Sequence, residues 1–174
     1  MSVSVLKVPA YKILLEQLYN VHKCDNSKST PYQKWDITLH PINNDKNTLN
    51  KHTLSVSNVW IQGYVTEILN DDSVLVNDET ALALVNGISK IPKAKKSLQA
   101  GDYVMVIGYI LAAGSKQCTL PVKHEDFAQN KICAKLKAIK VTDISKNTNC
   151  RTGDWWRYEV ADAQSHILQT TNNS

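Results

Sequence analysis

The sequence predicts a mainly β domain, a single five-stranded barrel with a short helix before it and an amphipathic helix after it. Five segments from residue 59 onward have the apolar character of strands, and turn residues separate the first three. The two longest segments each contain an internal glycine. With 174 residues, the chain is long enough to bury the core of one such domain, which we place at residues 11–168.

The segment before the barrel, PAYKILLEQLYNVH, predicts a short helix. Its apolar side chains recur at helical spacing, at Tyr11, Leu14, Leu15 and Leu18. Pro9 stands where the first turn of a helix accepts proline. We expect residues 1–10 to form a flexible N-terminus.

The predicted barrel core extends from about residue 34 to about residue 145. KWDITL alternates as a strand does, whereas residues 40–54 are polar and are expected to lie outside the core. The dense part follows with VWIQGYVTEIL, SVLV and ALALV. Turn residues separate these strands at Asn70–Asp72 and at Asp78–Thr80, which predicts an array of hairpins.

Two further strands complete the barrel. YVMVIGYILAA contains Gly108, as the first long strand contains Gly63, and a glycine inside a strand marks a bulge or a sharp bend at a barrel corner. ICAKLKAIKVTDIS alternates as a half-buried closing strand does. Five strands with such corners favour an oligonucleotide/oligosaccharide-binding (OB) fold, although an SH3-like barrel or a small sandwich has nearly the same strand count.

After the barrel, WWRYEVADAQSHIL predicts an amphipathic helix over about residues 154–168, with Asp154 as its N-cap and residues 169–174 as a flexible tail. A stripe of apolar residues lines one face, at Trp156, Val160, Ala163 and Ile167, and Trp155 lies beside it. Such a helix either caps its own barrel or docks a partner. We expect a partner interface, because the face is three turns long and begins with two tryptophans.

Composition narrows the class of protein without naming a partner. The hydrophobic and charged fractions, 43% and 21%, are those of a globular chain, and the net charge of +4 is too mild to indicate nucleic acid by itself. The four cysteines form no C-x-x-C pair, and the N-terminus lacks a cleavable signal, which predicts reduced, intracellular thiols. No apolar run is long enough to cross a bilayer, so we expect no membrane contact.

The motifs of catalysis and cofactor binding are absent from the sequence. It contains no phosphate-binding loop, no nucleophile elbow and no pair of Cys or His motifs with zinc-ligand spacing. We therefore predict no catalytic residues, no metal and no cofactor. Barrels that hold single strands place aromatic side chains on their second and third strands. Here those strands are SVLV and ALALV, which argues against strong intrinsic binding of single-stranded DNA.

Several segments resemble the RecQ-mediated genome instability protein 2 family in order and approximate spacing, namely YKILLEQL, VWIQGYV, GDYVMVIGYILA, LKAIKVTDIS and YEVADAQSHIL. The resemblance implies a nuclear, non-catalytic OB-fold scaffold that pairs with a larger subunit, RecQ-mediated genome instability protein 1. The pair would join a RecQ (Bloom-type) helicase and a type IA topoisomerase that dissolve double Holliday junctions in DNA repair and replication.

The resemblance also implies that Lys12 and Lys140, which lie in matching segments, contact peptide motifs of other repair factors, with only weak or indirect contact to DNA. The stretches 43–53 and 115–131 are longer than the family leads us to expect. The alternative function is a single-stranded DNA-binding OB subunit similar to the middle subunit of replication protein A.

Overall fold

The fold is mainly β, and one long helix follows the strands. The computed structural model describes residues 9–24, 33–39, 52–91, 97–114, 132–147 and 152–172. In these ranges the strands are β1 (Ala10–Lys12), β2 (His22–Lys23), β3 (Trp35–Leu39), β4 (His52–Val56), β5 (Asn58–Asn70), β6 (Ser73–Asn77), β7 (Leu82–Asn86), β8 (Tyr103–Ala113) and β9 (Ile132–Asp143). The α-helix is α1 (Thr152–Asn172), and short 3-10 turns lie at Leu15–Leu18, Ile88–Lys90 and Ser145–Asn147.

Strands β5 to β9 close a five-stranded barrel. β5 pairs antiparallel with β6, and β6 pairs antiparallel with β7. β7 then pairs parallel with β9, β9 pairs antiparallel with β8, and β8 returns to β5. This closed Greek-key order is the OB architecture, which confirms the predicted fold class and excludes the sandwich alternative.

Both strand glycines mark corners of this barrel, as predicted. β5 pairs with β8 along its first half and with β6 along its second half, and Gly63 lies where the partner changes. A Cβ atom on Gly63 would lie 2.5 Å from the carbonyl oxygen of Asn77. Gly108 lies at a register shift between β8 and β9, where a Cβ atom would lie 2.6 Å from the Lys137 carbonyl oxygen. The close approach of two backbones explains glycine at each position.

The predicted N-terminal helix is wrong over most of its length. Residues 10–12 form β1, which runs parallel to β5, and only Leu15–Leu18 form a helical turn, of the 3-10 type. Of the four apolar residues whose spacing predicts a helix, Leu15 and Leu18 are buried, whereas Tyr11 and Leu14 are half-buried. Ile13, which is outside that spacing, is buried as well. A residue distant in sequence holds this turn in place, because the Leu15 N–H donates to the Asp78 carboxylate at 2.7 Å.

A smaller three-stranded sheet consists of β2, β3 and β4. β3 matches the predicted strand KWDITL, but β4 corrects the expectation that residues 40–54 lie outside the core. β4 pairs with the whole of β3, and Leu54 packs partly buried against the barrel core. Residues 40–51, with most of the predicted 43–53 insertion, and the whole of the 115–131 insertion lie outside the described residues.

Helix α1 is longer than predicted, since it begins at Thr152 and ends at Asn172. Asp154 therefore lies inside the first turn instead of at the N-cap, and residues 169–172 are helical instead of belonging to a flexible tail. Residues 1–8, 173 and 174, predicted to be flexible, lie outside the described part of the chain. No helix among the described residues is both long and apolar enough to cross a membrane.

Candidate protein interface around the C-terminal helix

The predicted apolar stripe of α1 lies against the barrel of its own chain. Trp156 and Val160 are only 1% and 2% exposed, and Ile167 packs partly buried against the barrel core. Ala163 is half-buried. Their role in a partner interface stays a prediction, but in the single chain the deepest residues of the stripe are already covered. Of the two interpretations of the helix, the packing agrees with a cap on its own barrel.

Polar contacts fix the helix at the same place. Gln164 is buried, and its Nε2 donates to the backbone carbonyl oxygen of Lys12 at 3.2 Å and to Oε1 of Gln17 at 2.9 Å. These bonds join the end of β1 and the 3-10 turn to the middle of α1. The helix is thus held in one register against the barrel.

Lys12 lies over two indole rings at this junction. Its Nζ atom is 4.9 Å from the ring centroid of Trp60 and 5.7 Å from that of Trp156, and the two ring centroids are 6.4 Å apart. Nζ also donates to Oε2 of Glu159 at 2.7 Å. An ammonium group over indole rings gains cation–π attraction, and the carboxylate neutralises its charge. Two residues that the sequence singled out separately, Lys12 and Trp156, are therefore parts of one cluster.

A row of side chains joins Lys12 to Lys140 across the outer surface of the barrel. The strand registers pair Lys12 with Trp60, Trp60 with Ile107, and Ile107 with Lys140. Paired residues on neighbouring strands project to the same face, so the two lysines stand at the ends of a row about 14 Å long. Trp60 and Ile107 are half-buried between them, and Lys140 is exposed.

The outward face of α1 begins with an aromatic pair. Trp155 is 56% exposed and Tyr158 is 70% exposed, and their rings meet edge to face with centroids 6.2 Å apart. Trp155 was predicted as part of the interface, whereas Tyr158 was missed. The signal for Tyr158 is its spacing of three from Trp155, which places both on one side of a helix. Trp60 and Glu159 were also missed, because their contacts with Lys12 join segments that are distant in sequence.

The outer face of β6 and β7 is aliphatic and closed. Leu75 pairs with Leu84 across the two strands, and both are buried although they point away from the barrel interior. Leu82 and Ile132 join them in a separate apolar cluster. A face that stacks bases needs exposed aromatic rings, and β6 and β7 contain none.

A second polar cluster lies on the small sheet. The Cys24 thiol and the Ser55 hydroxyl both donate to Oδ1 of Asp36, the thiol at a distance of 3.0 Å. These bonds, that from Ser55 above all, lower the pKa of Asp36, and burial raises the pKa of Cys24. A thiol held in its protonated form is a poor nucleophile. Among the described residues, no three His, Cys, Asp or Glu side chains are arranged to hold a metal ion.

The closed barrel defines the chain as an OB-fold protein, with the surface around α1 as its candidate interface. The family model described as RecQ-mediated genome instability protein 2 matches residues 9–164. The chain therefore belongs to the RecQ-mediated genome instability protein 2 family, and it is a genome stability protein in that sense.

Known members of the family align over much of the chain. The Bos taurus RecQ-mediated genome instability protein 2 is 25% identical over 146 residues, which cover 84% of each chain. The Mus musculus protein of that name is 29% identical over 89 residues, 51% of this chain and 59% of its own. Among solved structures, a chain in the crystal structure of the S. pombe Stn1-Ten1 complex aligns with a TM-score of 0.42 at 13% identity. That alignment covers 69% of this chain and 79% of the other.

Proposed function

We propose that the chain is a non-catalytic OB-fold scaffold subunit that pairs with a larger OB-fold subunit of the RecQ-mediated genome instability protein 1 type. In the nucleus, the pair supports a RecQ (Bloom-type) helicase and a type IA topoisomerase in the dissolution of double Holliday junctions. Membership of the family supports this proposal. The observation that carries it is the exposed Trp155–Tyr158 pair on a helix whose other face is fixed to the barrel.

The fixed position of α1 makes its outward face a suitable docking surface. A helix already anchored by Trp156, Val160 and Gln164 loses little further freedom when a partner binds. Tyr and Trp are the side chains most often found at the energetic centre of protein interfaces. We therefore assign the partner contact to the outward face, with Trp155 at its centre, and the buried stripe to the support of the helix.

Two observations favour a scaffold over a subunit that binds single-stranded DNA or catalyses a reaction. The closed, aliphatic outer face of β6 and β7 offers no surface on which bases can stack. The titratable cluster at Cys24 and Asp36 holds its thiol protonated, which is unsuited to nucleophilic chemistry.

The Lys12–Lys140 row is proposed as the surface that receives peptide motifs of other repair factors. It presents the exposed charge of Lys140 at one end and the ion-paired Lys12 at the other, with the half-buried side chains of Trp60 and Ile107 between them. Charge reversal at either lysine is expected to weaken peptide capture by the paired complex while the fold persists. Unchanged affinity after both reversals would exclude this role.

The test of pairing is the double variant Trp155→Ala with Tyr158→Ala, expressed as the full chain in its own cells. We expect mass spectrometry of the purified variant to show loss of the larger OB-fold subunit, the helicase and the topoisomerase together. Arg157→Ala, an exposed change on the same helix, is the matched control and should retain all three. A double variant that retains the larger subunit would contradict the proposed interface. Fluorescence microscopy of the tagged chain tests the nuclear location.

A further inference from the structure

A groove of about 570 Å³ lies on the barrel beside the Lys12–Lys140 row, and it shares strands β8 and β9 with that row. It is bounded by the 3-10 turn after β7, the second half of β8 and the middle of β9. Its lining includes Lys90, Ile91, Tyr109, Leu111, Lys137 and Ile139.

The groove contains an exposed apolar side chain. Leu111 is 53% exposed on the outer face of β8, where it follows Tyr109 by two residues on the same face. Ile91 and Ile139 are half-buried beside it. Covering the exposed surface of Leu111 would remove apolar area from water, so this floor can anchor one apolar side chain of a ligand.

Positive charge lines the groove on both sides. Lys137 pairs with Tyr109 on β8, and its exposed side chain passes Gly87, where an added Cβ would lie 3.5 Å from the Lys137 Cγ. Lys90, also exposed, lies three residues beyond Gly87. The described lining residues include no carboxylate, and neither lysine forms an ion pair with another described residue. The nearby Asp72 carboxylate is already bonded by Gly87 and Ser89.

We infer that this groove binds a peptide segment of a partner protein in which an apolar side chain is flanked by carboxylates. The apolar side chain would cover Leu111, and the carboxylates would meet Lys90 and Lys137. A nucleic acid strand fits less well, because Tyr109 is the one aromatic side chain among the described lining residues and is buried, and no arginine is among them. The groove is separate from the proposed heterodimer contact at Trp155 and Tyr158, so a test of one surface does not decide the role of the other.

The experiment is a selection of random peptides displayed on phage against the full chain, followed by affinity measurements on synthetic copies of the enriched peptides. We expect enrichment of Asp or Glu on both sides of an apolar residue. Leu111→Ser and the double reversal Lys90→Glu with Lys137→Glu should each weaken binding of these peptides by about tenfold. All the changed side chains are exposed, and circular dichroism verifies that the variants fold.

Lys146→Glu is the matched control, because this exposed lysine follows the far end of β9. It should leave the affinity unchanged. Three results would overturn the inference: no enrichment of the acidic and apolar pattern, enriched peptides that bind both groove variants as well as the original chain, or equal weakening by the control. Binding of a labelled oligonucleotide that the double reversal abolishes, without peptide binding, would assign the groove to nucleic acid instead.

Discussion

Lys12 connects the first strand of the described chain to its final helix. Its partners are the rings of Trp60 and Trp156 and the carboxylate of Glu159, which is 147 residues away in sequence. Glu159 is nearly half exposed, so water screens much of the ion pair. The Trp60 and Trp156 rings are half-buried and buried, so the contact with them is expected to be the larger contribution.

The first prediction separates these two contributions. Lys12→Met keeps the apolar stem but removes the charge, and should lower the free energy of unfolding by about 1 kcal/mol. A double-mutant cycle with Glu159→Gln should give a coupling energy of about 0.5 kcal/mol, the part due to the ion pair. Urea unfolding measures both values. Lys146→Met, at an exposed site, serves as control, and a Lys12→Met chain as stable as the original would contradict this account of Lys12.

The second prediction concerns Asp72 and pH. Hydrogen bonds from Ser89 and Gly87, that from the Ser89 hydroxyl above all, hold the pKa of Asp72 below its ordinary value of 3.8. A lowered pKa in the folded state means that the contribution to stability is complete above the unfolded value and is lost as pH falls through the folded one. Asp72→Asn should therefore flatten the decline in stability below about pH 4.

Thermal unfolding at several pH values across this acid range measures how the Asp72→Asn substitution changes the pH dependence of stability. Asp71→Asn provides the comparison, because the neighbouring carboxylate in the same turn accepts none of these bonds. If both variants lose stability with acid as steeply as the original chain does, the turn bonds do not act through the charge of Asp72.

At the scale of elements, we propose that the buried face of α1 holds the helix on the barrel and that its exposed face contacts the partner. The third prediction tests these two roles separately. Val160→Asp places a carboxylate in the buried face and should destabilise the isolated chain by several kcal/mol. Val160→Asp with Ile167→Asp should be more severe still. Tyr158→Asp, on the exposed face of the same helix, should change stability by less than about 0.5 kcal/mol yet weaken pairing with the larger subunit.

Thermal melts of the lone chain and pull-down of the larger subunit measure these two effects separately. A Val160→Asp chain that melts like the original while losing its partner would mean that the buried face is the interface after all. That result would restore the prediction made from the stripe of Trp156, Val160, Ala163 and Ile167.

The long strands were predictable because each carries its own signal. β5 alternates buried and more exposed side chains along most of its length, β8 is apolar and largely buried, and β9 alternates in its middle. The corner glycines of β5 and β8 are also visible in the sequence. The amphipathic pattern of α1 was equally clear, and it correctly placed Trp156 and Val160 on one face. It could not reveal what that face touches, since the barrel and a partner helix offer similar apolar surfaces.

β1 and β4 were missed for physical reasons. β1 has three residues, too few for a periodic pattern, and β4 follows a long polar stretch that hides its alternation; each is stabilised by its partner strand. The sequence around β1 also carries a false helical period at Tyr11, Leu14, Leu15 and Leu18, of which Leu15 and Leu18 are buried in the core. The cluster around Lys12 was unpredictable on the same ground, since its members meet only after the barrel has closed.

At the scale of the whole molecule, the barrel has the OB architecture, and the outer face of its second and third strands, β6 and β7, is apolar and buried. The fourth prediction is that the purified chain binds labelled oligo-dT no more tightly than about 1 μM at physiological salt, in the range of non-specific contacts. The affinity should fall steeply with added salt, because phosphate contacts to lysine would supply it. Nanomolar binding that resists salt would instead indicate stacking of bases on rings outside β6 and β7, such as the exposed Trp155 and Tyr158.

The junction of Lys12 with Trp156 and Glu159 also sets an order of events during synthesis of the chain. β1 leaves the ribosome early, but the helix that covers its Lys12 side chain and the neighbouring Trp60 ring is made only after all five barrel strands. Until then, the nascent barrel exposes an uncovered indole and an unpaired lysine side by side. A chain truncated before residue 152 would therefore expose this apolar ring permanently. Chaperones and proteases recognise exposed apolar surface of this kind in incomplete products.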